Sequence, residues 1–286
     1  MSLMKITDAD GRRIPGWQLA LRYSLLIAVL ALTVGPFLWQ LSTSLKGPHE
    51  DIFSSPPTFL PGEPTLDNYA RVSRTIPVWD YALNSLKVAT ANVLTNCIGS
   101  ALAGYALARM RYRGRRAATL VFILAMLVPV EGIIIAQFTT MRDLGLNNTL
   151  IAVLLPGCIA AMNVLLMRNA FLNLPHEVEE AAFVDGATAW QRFLRISLPS
   201  VKGTLAVVAI FAFMGAWDDF LWPLIVLSDP ENFTLTIGLN YLHGTFANDE
   251  RLVAAGTVIA VLPLIVLFAC LQRFFFRGVG EGAVKG

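Results

Sequence analysis

Charge is scarce in this sequence. Asp, Glu, Lys and Arg make up 15% of its 286 residues against 55% apolar residues, a balance that excludes an ordinary soluble domain. Cysteine is scarcer still. Cys97, Cys158 and Cys270 fall in three separate apolar stretches, and an odd number cannot all pair within the chain, so they read as small packing residues. His49, His176 and His243 lie in loops with no histidine four residues away, and neither a metal site nor a proton relay is suggested. There is no H-E-x-x-H and no nucleophile beside a base, which argues against an intramembrane enzyme. The chain also lacks a G-x-x-x-x-G-K-[ST] phosphate loop and is not expected to bind ATP itself. No heptad array, low-complexity tract or internal repeat stands out. The first apolar stretch runs into Trp39-Gln40 without a small-x-small cleavage site, so it is expected to remain as a spanning helix.

What the chain has is long apolar runs. Crossing a hydrocarbon core takes about 20 apolar helical residues, and the stretches near 19–41, 84–108, 117–138, 149–170, 204–227 and 252–276 each meet that length. Runs such as Leu25 to Leu32 are apolar on every face, whereas a β-barrel strand would alternate. The expected fold is therefore all-α, a polytopic membrane protein with six transmembrane helices, a tail at 1–18 and a membrane domain at 19–286. With both termini inside, sixteen Lys and Arg lie on the inner side and five on the outer, Lys87 being left within the second helix. The positive-inside rule then places both termini in the cytoplasm. Lys87 lies near the outer end of its helix and can snorkel outward.

Residues 42–79 hold six of the fifteen prolines and cannot form a spanning helix. Gly99, Ser100, Ala103 and Gly104 give the second helix small positions four apart, read as packing within this chain. Kinks are expected at Pro36, Pro129, Pro156, Pro223 and Pro263. The arginines of 109–116 could suggest contact with anionic lipid or nucleic acid, but are more simply topology determinants. No nucleic-acid partner is expected.

The inner loop at 174–202 is too well patterned for a linker. Pro175 suits a first helical position, and Glu177, Glu179 and Glu180 complement the positive end of a helix. Gly186 supplies a stop. Thr188 and Gln191 have the spacing of a capping box that opens a second helix, and Pro199 closes it. Ala181 and Ala182 leave one side small enough for another protein to approach. The competing reading is a hairpin that packs on the chain's own helix ends.

The run Glu180-Ala181-Ala182, Gly186, Ile196, Leu198-Pro199 resembles the EAA signature of ABC importer permeases, and Glu179 through Ala187 (EEAAFVDGA) is similar to the carbohydrate-uptake, maltose-type branch. The resemblance extends through Leu66-Asp67-Asn68-Tyr69, Asn84-Ser85, Ala106-Leu107-Ala108-Arg109, Leu144-Gly145-Leu146 and Trp217 to Leu224, to the C-terminal Gly282 to Gly286. It departs at Trp217-Asp218, where that family usually has Trp-Asn. The resemblance implies a type I importer permease in the inner membrane of a prokaryote. Its partners would be two ATP-binding subunits, a second homologous permease and an external solute-binding protein. ATP and Mg would sit on the partner ATPase. Glu179, Glu180, Ala181, Ala182, Asp185, Gly186 and Ala187 would form the ATPase-coupling helix.

Ionisable groups within a membrane are costly, so each is a candidate for a pathway. At 1.5 Å per residue, Glu131 and Asp218 both lie ~21 Å along outward-running helices. With Asp219, Gln137, Asn163 and Trp217 they could form a polar belt for a sugar or sugar derivative. Trp222 reads as interfacial. The same carboxylates also admit a different class, an autonomous ion-coupled secondary transporter or channel.

Overall fold

Lipid offers the backbone no hydrogen-bond partners, so a chain this apolar must satisfy its peptide groups within helices or a closed barrel. A computed structural model of the chain describes residues 15–52, 54, 58–244 and 249–283, and all regular structure among them is helical. In chain order the helices are α1 Gly16–Ser44, α2 Asp67–Thr75, α3 Val78–Arg109, α4 Arg115–Ala125, α5 Ile134–Asp143, α6 Leu150–Leu154, α7 Ala161–Leu172, α8 His176–Val184, α9 Ala189–Arg192, α10 Leu198–Ser200, α11 Lys202–Trp217, α12 Leu221–Val226, α13 Leu235–Gly244 and α14 Glu250–Ala283.

Two of these helices, α1 and Glu250–Cys270 of α14, are each long and apolar enough to cross a membrane, and three bent pairs also pass when taken together. The kinks expected at Pro129 and Pro156, in the stretches at 117–138 and 149–170, are sharp enough to break each helix in two. Arg115–Ala125 meets Val130–Asp143 at 94°, and Leu150–Gly157 meets Ala161–Leu172 at 45°. Proline is the cause in both. Pro129 clashes with the carbonyl four residues back, and that residue, Ala125, is the last of α4. Pro156 sits in the one-turn 3₁₀ segment that ends the first half of its pair. Pro36 and Pro263 lie inside continuous helices, and Pro223 occupies the first turn of α12, where no amide partner is needed. The stretch at 204–227 is interrupted too, since α11 ends at Trp217 and α12 begins at Leu221.

α3 is not among the apolar spans, although its 32 residues are ample to cross. A row four residues apart explains both facts. Asn84, Val88, Asn92, Asn96, Ser100, Gly104 and Ala108 are all buried, so the polar members that lower its hydropathy face protein. The exterior is apolar instead, with Leu86, Leu94 and Ile98 exposed. Membrane helices pack through small residues because lipid supplies no competing hydrophobic drive.

The chain divides into two compact units, Met1–Val72 with Asn248–Val258 and Ser73–Ala247 with Ile259–Gly286. In the first, the buried Lys46 donates to the Thr58 carbonyl at 2.7 Å and lies 4.8 Å from the Trp39 ring centroid. Asn68 donates to the carbonyls of Ser44 and Lys46, fixing the turn after α1. Burial alone would raise the Asp249 carboxyl, but hydrogen bonds from Arg71 and the Arg251 amide and the two guanidinium charges hold it below the usual range.

In the second unit α7 and α11 pack on α3. A Cβ added at Gly104 would lie 2.7 Å from Met167 Cβ and 2.8 Å from the Arg168 amide nitrogen, so glycine is what lets α7 come this close. The small residues of α3 thus serve packing within the chain. Lys87 is exposed and reaches back one turn to Asn84 Oδ1 at 3.4 Å, toward the helix start.

Candidate functional site

Two places in the larger unit gather chemistry-bearing residues: the 174–202 loop and a cavity beside α3. In the loop, Pro175 is the N-cap of α8, one residue before the position expected, because its ψ of 135° is extended and the helix begins at His176. Gly186 has φ +81°, and its amide donates to Phe183 O at 3.0 Å while Ala187 N–H donates to Ala182 O at 2.9 Å. Together these satisfy the last carbonyls of α8. Thr188 and Gln191 form the capping box, with Thr188 N–H donating to Gln191 Oε1 at 2.8 Å and Gln191 N–H to Thr188 Oγ1 at 3.3 Å. The second helix continues through a π turn at Phe193–Ser197 and ends at Ser200, one residue past Pro199, with the bend of 78° at Val201.

The hairpin has two unlike faces. Glu179 turns inward, 9% exposed, accepting a hydrogen bond from Ser197 Oγ at 2.6 Å with Arg109 Nε 3.7 Å away. The Arg109 guanidinium is buried and donates to the carbonyls of Phe171 (2.6 and 3.0 Å) and Leu174 (2.5 Å) and to His176 Nδ1 (2.6 Å). One side chain at the end of α3 therefore holds the end of α7 and the start of α8. Beneath them Tyr105 packs its ring against Phe171 and Phe193, with centroids 5.4 and 5.0 Å away. Facing outward, Glu180, Ala181 and Asp185 are exposed, Ala182 and Ala187 half-buried, and Val184 is 84% exposed beside Phe183 and Trp190. Arg109 reads from the sequence only as a topology charge. Its place in the Ala106-Arg109 run is the one signal that could have marked it.

The second place is a cavity of about 850 Å³ whose polar lining includes Asn92 and Asn96 of α3, Gln137 of α5, Asn163 of α7, Asp219 and Trp222. Its amides repair the broken helix at Pro156. Asn96 Nδ2 donates to Gly157 O at 2.8 Å, while Asn96 Oδ1 accepts from Ala160 N–H at 2.8 Å and Asn163 Nδ2 at 2.9 Å. The carbonyl of Ala152, four residues before Pro156, accepts the Trp222 indole N–H at 3.0 Å. Trp222 is thus buried in the cavity wall rather than interfacial, because its one polar atom is needed at the break. Asp219 Oδ1 accepts the Trp222 amide at 3.3 Å.

Of the residues singled out for a solute path, Asn163, Gln137 and Asp219 meet here. Trp217, Asp218 and Glu131 are outside the lining. Trp217 is buried, stacks on Phe213 at 5.5 Å and donates its indole N–H to Ala260 O, on the turn before Pro263. Asp218 and Glu131 are exposed. Asn92 and Asn96 are the residues that sequence reasoning missed, and their four-residue spacing was the available signal. No group of three or more His, Cys, Asp or Glu able to hold a metal occurs among the described residues.

Broken apolar helices around a polar-lined cavity, with a structured loop at one end, define a multi-pass membrane transporter component. Residues 96–281 match the family described as binding-protein-dependent transport system inner membrane component, and the chain belongs to that family. It is 35% identical to the arabinooligosaccharides transport system permease protein AraQ of Halalkalibacterium halodurans, over 80% of this chain and 82% of that one. It is 32% identical to the lactose transport system permease protein LacG of Rhizobium radiobacter, over 96% and 98%. Among solved structures it resembles a chain of a bacterial ABC transporter involved in the import of the acidic polysaccharide alginate, at 26% identity and a TM-score of 0.79, covering 90% of this chain and 96% of that one. The chain is thus a permease subunit of an ABC importer.

Proposed function

We propose that this chain translocates a sugar or sugar derivative across the cytoplasmic membrane of a prokaryote, as one of two homologous permeases. Two copies of an ATP-binding subunit carry ATP and Mg, and an extracytoplasmic binding protein delivers the solute. In this reading α3 is the sixth span, polar because it is enclosed by its neighbours, and both termini are cytoplasmic. The hairpin at 174–202 docks on the ATPase through Glu180, Ala181, Asp185 and the apolar side chains beside them. Glu179, Gly186 and Ala187 hold its shape, and Ala182 keeps it slim.

The observation that carries this reading is the two-faced hairpin. One face is locked through Glu179, Ser197 and Arg109 to α3 and α7, while the other leaves Phe183, Val184 and Trp190 uncovered. Motion imposed on the open face is passed to the helices that wall the cavity. There Asp219 and Gln137 offer hydrogen bonds to hydroxyls, while Asn163 supports Asn96 and the wall behind them.

The test is made in cells carrying the whole importer. Single cysteines in 58–66 should label from outside and those in 176–198 only from inside, and the chain should copurify with its ATPase and support sugar uptake. Reversed labelling rejects the orientation. Sugar uptake without the ATPase rejects the importer mechanism in favour of an autonomous transporter.

A further inference from the structure

The short basic segment between α3 and α4 has a shape that a mere topology signal does not require. Arg111, Tyr112, Gly114, Arg115 and Arg116 line an open cavity of about 490 Å³. Among the described residues none of these three arginines is paired with a carboxylate, and the one hydrogen bond from them is a long one, 3.5 Å from Arg115 Nη1 to Met110 O. Three guanidinium groups around one opening repel each other, and an anion between them relieves that repulsion. The local electrostatics point the same way. Arg115 and Arg116 occupy the first two positions of α4, the positive end of the helix, with no acidic residue in that turn and no side-chain cap from Gly114.

Beside the opening the surface turns apolar. Met110 and Tyr112 are exposed, and Arg116, Leu120 and Leu124 follow each other at four-residue spacing on an exposed stripe of α4. A ligand that fits both parts carries a phosphate at one end and a hydrocarbon chain at the other. We propose that this cavity binds a phosphate-bearing anion, a phospholipid headgroup whose acyl chain lies along Leu120 and Leu124. Guanidinium groups favour phosphate because their planar fork donates two parallel hydrogen bonds. Placement in the inner leaflet rests on the orientation proposed above, but the anion chemistry does not.

The full chain, purified in detergent, is given phosphatidylglycerol or phosphatidylcholine of identical acyl chains, and lipid retained on the protein is counted by native mass spectrometry. Wild type should retain phosphatidylglycerol over phosphatidylcholine, about fivefold for each arginine engaged. R115Q/R116Q should abolish that preference, while R142Q in the last turn of α5 should leave it intact. Because R115Q/R116Q also removes topology charges, R115K/R116K is the second variant. It keeps the positive charge for insertion but loses the fork, and its preference should fall severalfold. Equal retention of the two lipids by wild type, or a preference unchanged in both double variants, overturns the proposal. If millimolar inorganic phosphate displaces the bound phosphatidylglycerol completely, the cavity is a free-phosphate site and the lipid assignment falls.

Discussion

The hairpin at 174–202 and the polar cavity are built by opposite means. In the hairpin most directing signals lie within the segment itself: Gly186 ends α8, Thr188 and Gln191 cap α9, and Glu179 meets Ser197 across the same loop, with Arg109 anchoring them from α3. In the cavity the supporting groups come from far along the chain. Asn96 on α3 supports a break 61 residues later, and Trp222 covers a carbonyl 70 residues earlier. The hairpin also leaves one face uncovered, while the cavity uses most of its amides to repair its own wall. In the proposed reading, docking depends on the shape of one short segment, and solute passage on the assembly of several helices.

That contrast is broken most directly at Gly186. A Cβ there would meet nothing within 4 Å, so any loss comes from the backbone at φ +81° and not from a clash. Gly186→Val forces a β-branched residue into that region at a cost of roughly 1–2 kcal/mol or more. Uptake should drop on the order of tenfold or more as α8 and α9 lose their relative aim, while Gly186→Asn, which tolerates this backbone, should keep most of it. Ala181→Trp should weaken association with the ATPase, measured by copurification, with insertion in the membrane unchanged. Normal solute-stimulated ATP hydrolysis and uptake in both Gly186→Val and Ala181→Trp would make the hairpin an ordinary connector.

Asn96 tests the other side with a smaller expected effect. Asn96→Ala leaves Gly157 O, Ala160 N–H and Asn163 Nδ2 without their partner in the cavity wall. Each buried unmet group costs about 1–3 kcal/mol, and water entering the cavity offsets part of that. The thermal midpoint of the purified chain should fall by several degrees, while copurification with the ATPase stays normal because the hairpin is held elsewhere. An unchanged midpoint would mean that the break at Pro156 needs no support from α3.

How legible each region was follows from the same distinction. The caps of the hairpin and the snorkelling Lys87 follow from neighbours in sequence, and apolar length marked α1 and α14 directly. The breaks at Pro129 and Pro156 were visible as prolines, but their depth was not, because it depends on which distant group accepts or donates at the gap. Trp217 and Trp222 show this most clearly. Five residues apart and both read by position, they are placed by the carbonyls of Ala260 and Ala152, which no local pattern reveals. Arg109 was hidden for a different reason: a basic residue at an inner helix end already has a sufficient explanation in topology.

The smallest effects separate two adjacent carboxylates. Asp219 lines the cavity and Asp218, one residue earlier, is exposed outside the lining. A hydrogen bond from a hydroxyl to a carboxylate exceeds one to a neutral amide by about 1 kcal/mol, so Asp219→Asn should raise the half-saturating solute concentration for uptake about fivefold. Asp219→Asn keeps an oxygen for the Trp222 amide, and the wall should stand. Asp218→Asn should stay within about twofold, as expected of an exposed polar position. Both are read in the same uptake assay with the binding protein saturating. A larger effect at Asp218 than at Asp219 would move the solute path away from this cavity and toward the exposed break between α11 and α12.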